Sequence, residues 1–160
     1  MADAQYDGIF GIGIAFTFTP TTGTPFGSEQ AQVETLDGAD VQVDTQKFTP
    51  ISGANSNVEQ SVAGRFPIAT RALKATYQAA AHLAAITCQA ARISGTLVVT
   101  QGDGSTETFV GALLKAVKQS ESSASALLTD TLTFEVPVGP SQFTFSAGTG
   151  VTVVQTTIPL

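Results

Sequence analysis

Residues 97–117, LVVTQGDGSTETFVGALLKAV, decide the fold class. Two β-prone runs, Leu97 to Thr100 and Thr106 to Val117, flank Gln101-Gly102-Asp103-Gly104, and Asp-Gly between such runs is a strong hairpin signal. A second long strand is expected at Leu127 to Val138, LLTDTLTFEVPV, where Leu128, Leu132, Phe134 and Val136 alternate with polar neighbours. The Ser-rich stretch Ser120 to Ser125 links the two. Upstream of the hairpin, Ala79 to Ala91, AAAHLAAITCQAA, is the one strong helix former. Its Leu83, Ile86 and Ala90 are spaced to form an apolar stripe that should lie on a sheet.

Nearer the N-terminus, Phe10, Ile12, Ile14, Phe16 and Phe18 alternate with Gly11, Gly13, Ala15 and Thr17. Period two this clean predicts a strand with one bulky buried face, and the small opposite face invites close approach by another sheet or subunit. Thr19 to Ser28, TPTTGTPFGS, reads as a loop because its prolines and glycines spoil a regular ladder. Val33, and Val41 with Val43 beyond the Leu36-Asp37-Gly38 turn signal, fit two short strands or a bent hairpin. Thr70 to Gln78 fits a strand, with Leu73, Ala75 and Tyr77 on one side, or the first turns of a helix, and the strand is favoured.

Lys47 to Gly64, KFTPISGANSNVEQSVAG, is long and polar for a compact domain, which marks it as a loop with a job. Lys47, Phe48, Ser52, Asn55, Asn57 and Glu59 are its candidate assembly residues. The C-terminal run, with QFTFS and VTVVQTTI divided by Ala147-Gly148-Thr149-Gly150, is expected to pair with a neighbouring chain.

The 160 residues suit one domain, 1–160, with 1–32 as an N-terminal strand and loop and 139–160 as a C-terminal extension. Only 12% of residues are charged, and a net charge of −6 supplies no basic field for gripping nucleic acid. One cysteine, Cys88, excludes an internal disulfide. The start, Met1 to Asp7, lacks the basic, apolar pattern of a leader, so folding in a cytoplasm and no membrane association are expected.

Chemistry-bearing constellations are weak. His82 and Cys88 lie six residues apart on the expected helix, about 120° around its axis, so they do not share a metal or act as base and nucleophile. A plain surface or edge histidine and a small buried cysteine are the preferred readings. Gly8, Gly11 and Gly13 have no strand before and no helix after to aim a dipole at phosphate. Asp103, Glu107, Asp130 and Glu135 alternate with threonines in the manner of a solvated sheet face. With no Trp and only Tyr6 and Tyr77, a sugar-stacking site is disfavoured, and the ten phenylalanines read as core or subunit contacts. No enzyme activity, metal or cofactor is expected.

The order of these elements, and above all Gly95 to Val136, resembles the tail-tube proteins of long-tailed bacteriophages. The likeness rests on the Gly-Asp-Gly hairpin, the return strand with Phe109 and Gly111, and the small-residue link before the last core strand. It implies a mainly β fold, a β-sandwich of two antiparallel sheets flanked by one helix at about residues 79–91. It further implies self-assembly into stacked, hexameric rings that form a conduit for DNA ejection. The implied partners are other copies of the chain, tail terminator, tape measure and baseplate proteins, and phage DNA passing without specific binding. The implied location is the virion tail, after assembly in a host bacterial cytoplasm. The N-terminal segment and long C-terminal tail depart from the family's minimal pattern. A different tail, neck, baseplate or decoration component, and a monomeric β-sandwich binding module, are the rival classes.

Overall fold

The computed structural model describes residues 14–27, 33–51, 53–54, 56–121, 124–125 and 127–148. Its strands are β1 (Ala15–Pro20), β2 (Phe26–Gly27), β3 (Val33–Leu36), β4 (Thr45–Phe48), β5 (Gln60–Ala63), β6 (Ile68–Thr76), β7 (Ser94–Thr100), β8 (Thr106–Gln119), β9 (Thr129–Pro137) and β10 (Phe143–Ser146). One helix, α1 (Ala79–Ala91), separates β6 from β7. Among the described residues the fold is mainly β, with two antiparallel sheets and a single helix, as the sequence leads one to expect. The large sheet runs β2-β1-β7-β8-β9-β6-β3, with β10 added beside β8, and β4 and β5 form a separate two-stranded ribbon.

The expected hairpin is β7–β8, paired from Thr100↔Thr106 to Ser94↔Leu113. In its turn the Gly104 N–H donates to the Gln101 carbonyl at 3.0 Å, and Gly104 takes φ +85°, the left-handed region glycine supplies cheaply. The carboxylate of Asp103 accepts from Ser105 N–H (2.9 Å) and Oγ (2.6 Å), an Asx-type closure that holds Asp103 below its ordinary carboxylate pKa.

Strand β8 serves two partners along one edge. Residues 106–109 pair with β10, whereas Leu113 to Gln119 pair with β9. Between them Gly111 sits at φ +86°, and irregularities at Gly95/Thr96 and Leu114/Ala116 bend the ladder.

That bend lets the sheet close on itself. β1 and β9 are three places apart in strand order, about 14 Å on a flat sheet at about 4.8 Å per strand. Yet the rings of Phe18 and Phe134 stand 5.1 Å apart, so the two halves of the sheet face each other across a common core. The sandwich layers are thus halves of one sheet, and the second sheet lies outside them. Phe16, Phe18, Phe26, Leu73, Leu97, Val99, Phe109, Phe134 and Val136 are the largest fully buried side chains. Burial alternates along β1, β6, β7 and β9, and in β1 and β9 this is the period two that marks them in the sequence. Phe10, Gly11, Ile12 and Gly13 lie outside the described residues, as does the VTVVQTTI run.

The helix occupies the expected span but turns a different face inward. Ala85 and Cys88 are buried and Ala81 and Ala84 pack on the core, while Leu83 is 67% and Ile86 42% exposed. The 81, 84/85, 88 spacing is itself a helical stripe, and its small side chains let the helix sit close against β8 and β2. Arg92 caps it in the left-handed conformation (φ 56°).

Other expectations also need correction. Phe26 and Gly27, placed in a loop by the surrounding prolines and glycines, pair with Phe18 and Thr17. A Cβ at Gly27 would sit on the Phe16 carbonyl, so the close approach itself requires glycine. Val33 begins a strand on β6, but Val41 and Val43 lie in a stretch without ladder pairing. Lys47 to Gly64 is a ribbon rather than a loop. QFTFS supplies β10 to its own chain, where Phe143 faces Phe109 at 5.0 Å and covers the edge of β8 that β9 does not reach.

Candidate functional site

The most unusual feature is the β4–β5 arm. Thr45↔Ala63, Gln46↔Val62, Lys47↔Ser61 and Phe48↔Gln60 pair, and the described residues among 49–58 form the tip. At the base Asp44 N–H donates to the Arg65 carbonyl at 2.8 Å and Gly64 N–H to the Asp44 carbonyl at 2.5 Å. The Arg65–Asp44 ion pair at 3.5 Å is solvent-exposed and adds little. All of β4 is exposed, and so is β5 apart from the half-buried Gln60. Ile51 is 100% exposed, and Phe48, Val58 and Val62 are each about half exposed. An isolated two-stranded ribbon is marginal in water at best, and an apolar one invites cover.

Of the residues singled out from sequence, Lys47 and Phe48 lie on β4, Asn57 is exposed at the tip and Glu59 is exposed beside it. Ser52 and Asn55 lie outside the described residues. The sequence reading missed the apolar content, Ile51, Val58 and Val62. The available signal was two β-prone quartets, TQKF and QSVA, on either side of Pro50 and Gly53.

A second surface lies at the other end of the strand order. The turn between β1 and β2 and the outer side of α1 enclose an apolar groove of about 430 Å³. Pro20, Gly23 and Thr24 form one wall and Leu83, Ala84 and Thr87 the other, with Ile93 between. The volume falls in the range of about 300–1,000 Å³ typical of binding clefts.

The buried polar groups do not assemble a reaction centre. Arg71 projects from β6 into the core, where Nη2 lies 2.7 Å from Glu107 Oε2 without the alignment of a hydrogen bond, and Nε has no partner. Burial pushes the Arg71 pKa down, opposed by Glu107 and then Asp37. On the helix side, His82 Nδ1 contacts Asp130 Oδ2 at 2.8 Å, and the Tyr77 ring lies 5.3 Å from the imidazole. His82 is therefore a half-buried tie between α1 and β9 and not a plain surface residue. Glu107 and Asp130 likewise point inward, whereas threonine alternation suggested a solvated face. Cys88 is free and buried, and burial raises its thiol pKa. Among the described residues no group of three or more His, Cys, Asp or Glu side chains could hold a metal ion. Among the same residues no helix is long and apolar enough to cross a membrane.

No family model and no curated protein matches the sequence. Solved structures do. A chain in the six-fold symmetrised cryo-EM structure of the anti-feeding prophage baseplate is similar with a TM-score of 0.63 at 12% identity. That match covers 93% of this chain and 99% of the other. A chain in the tail of an empty GTA particle, refined with C6 symmetry, is similar at TM-score 0.63 and 11% identity, over 88% and 100% of the two chains. A chain in the sheath/tube terminator of an extracellular contractile injection system follows at TM-score 0.60 and 11% identity, over 90% and 100%. At such identities the likeness establishes a shared fold, one found in phage-like tails and contractile injection systems.

Proposed function

We propose that this chain is a structural component of a phage-like tail tube, assembling with copies of itself into stacked six-membered rings that form a conduit for DNA. The carrying observation is the exposed apolar β4–β5 arm on a chain that matches, over 93% and 88% of its length, chains in a six-fold symmetrised baseplate and a C6-symmetric tail. A ribbon without a core of its own gains stability when a neighbouring ring covers it. Within a ring, strand edges such as that of β6 from Ile68 to Thr70 pair between subunits; among the described residues no strand covers that edge. Thr, Ser, Gln and acidic side chains line the channel, so DNA passes without a basic grip. Tail terminator, tape measure and baseplate proteins are the expected partners. The chain catalyses no reaction, and it works in the virion tail after assembly in a bacterial cytoplasm.

The likeness to chains in baseplate and terminator structures favours a second reading, a baseplate or terminator component of the same kind of tail. Removal of residues 52–58 separates assembly from folding. The circular dichroism spectrum should persist and filament growth should stop, while normal filaments from that deletion would count against the arm's role.

A further inference from the structure

We propose that the groove between α1 and the β1–β2 turn is the receptor for the arm tip of a second copy, with the incoming Glu59 set against Arg92 at the groove's rim. The inference rests on the stacking role of the arm and specifies what that arm engages.

Three observations converge on this occupant. Shape and polarity match first. Ile51 is wholly exposed and Val58 half exposed on the arm, while the groove presents Pro20, Leu83, Ala84 and Ile93. Because Ile51 is fully solvated, the arm does not fill the groove of its own chain.

Charge matches next. Thr49 to Val58 contains no charged residue, and neither does any residue lining the groove, so seating the tip strands no ion in an apolar site. Beside the tip stands Glu59, exposed, and Arg92, also exposed, immediately precedes the groove residue Ile93, its backbone fixed by cap hydrogen bonds to α1. Among the described residues neither has an ion-pair partner. The helix's own histidine, His82, is already engaged by Asp130 and does not disturb this pairing.

Position is the third observation. The arm leaves the chain between β3 and β6, at one end of the strand order, and the groove adjoins β1 and β2 at the other. A donor and an acceptor on different surfaces make a head-to-tail contact, which propagates from copy to copy instead of ending in a closed pair. That is the geometry a growing stack requires. It also accounts for Leu83, a groove residue, remaining exposed on a helix whose alanines face the core.

The test uses the full-length chain. Leu83→Asp and Arg92→Glu alter exposed side chains, and an unchanged circular dichroism spectrum verifies the fold. Each should raise the concentration at which filaments form by about tenfold or more, the loss expected when one apolar or charged contact in each subunit interface is removed. Combining Arg92→Glu with Glu59→Arg in one chain should recover most of that loss. Mixing Ile51→Cys chains with Leu83→Cys chains, both also carrying Cys88→Ser because Cys88 lines the groove, should yield under mild oxidation a disulfide dimer containing one of each. If Leu83→Asp and Arg92→Glu grow filaments like the parent while the 52–58 deletion does not, the groove assignment is overturned and the arm's role stands. If the deletion also grows normally, both fall.

Discussion

Replacing Phe18 by alanine should cost about 4–5 kcal/mol, because this ring joins the two halves of the folded sheet. Phe18 is 0% exposed, with the Phe26 ring 5.3 Å away at 44° and the Phe134 ring 5.1 Å away at 40°. A fully buried Phe→Ala change costs about 3–5 kcal/mol, and the loss of two aromatic pairs, each about 0.5–1.5 kcal/mol, places this site in the upper part of that range. Phe18→Leu keeps much of the apolar volume and should cost about 1–3 kcal/mol, the value of the two ring pairs alone. Against a total stability of about 5–15 kcal/mol, the alanine variant loses about a quarter or more. The measurement is urea unfolding followed by far-ultraviolet circular dichroism, since the chain has no tryptophan to report by fluorescence. It should be made on the 52–58 deletion, so that assembly does not add a concentration-dependent contribution. Leu83→Ala, on the exposed side of α1, is the control and should stay within about 0.5 kcal/mol. A Phe18→Ala cost below about 1 kcal/mol would refute the packing of β1 onto β9.

Further outcomes follow from individual sites. Glu107→Gln leaves the buried Arg71 guanidinium with only the weaker pull of Asp37 and should destabilise by about 3 kcal/mol, whereas the apolar double change Arg71→Met/Glu107→Leu should be near neutral or stabilising; the same urea titration distinguishes them. Gly111→Ala forces a side chain into a left-handed backbone with its Cβ 3.0 Å from Gln142 Nε2. It should cost about 1–2 kcal/mol and weaken the docking of β10. Cys88, whose thiol pKa is raised by burial, should react with a thiol reagent at pH 8 only as the chain unfolds; rapid labelling of the native chain would contradict its place on the buried face of α1.

Much of this architecture is written in short-range patterns. The Asp-Gly turn, the alternation through Phe16 and Phe18 and through Leu132, Phe134 and Val136, and the alanine-rich run at 79–91 each carry a local physical cause that survives folding. The arm was illegible as a ribbon because neither of its faces is buried within the chain, so no alternation marks TQKF or QSVA. The helix's inward face was misassigned because bulk was taken as the guide. Closeness of approach favoured Ala85 and Cys88 over Leu83 and Ile86. The Arg71–Glu107 and His82–Asp130 pairs join residues 36 and 48 positions apart, contacts that only the folded sheet creates. Gly27 strands beside β1 for the same reason, since its need for close backbone approach is set by the partner strand.

Electron microscopy of the purified chain, with class averages of end views, tests the central claim most directly. The account predicts rings with six subunits that stack into tubes as concentration rises, and tubes that shorten to single rings when residues 52–58 are removed. A monodisperse 16.4 kDa monomer at high concentration, with neither rings nor tubes, would contradict it.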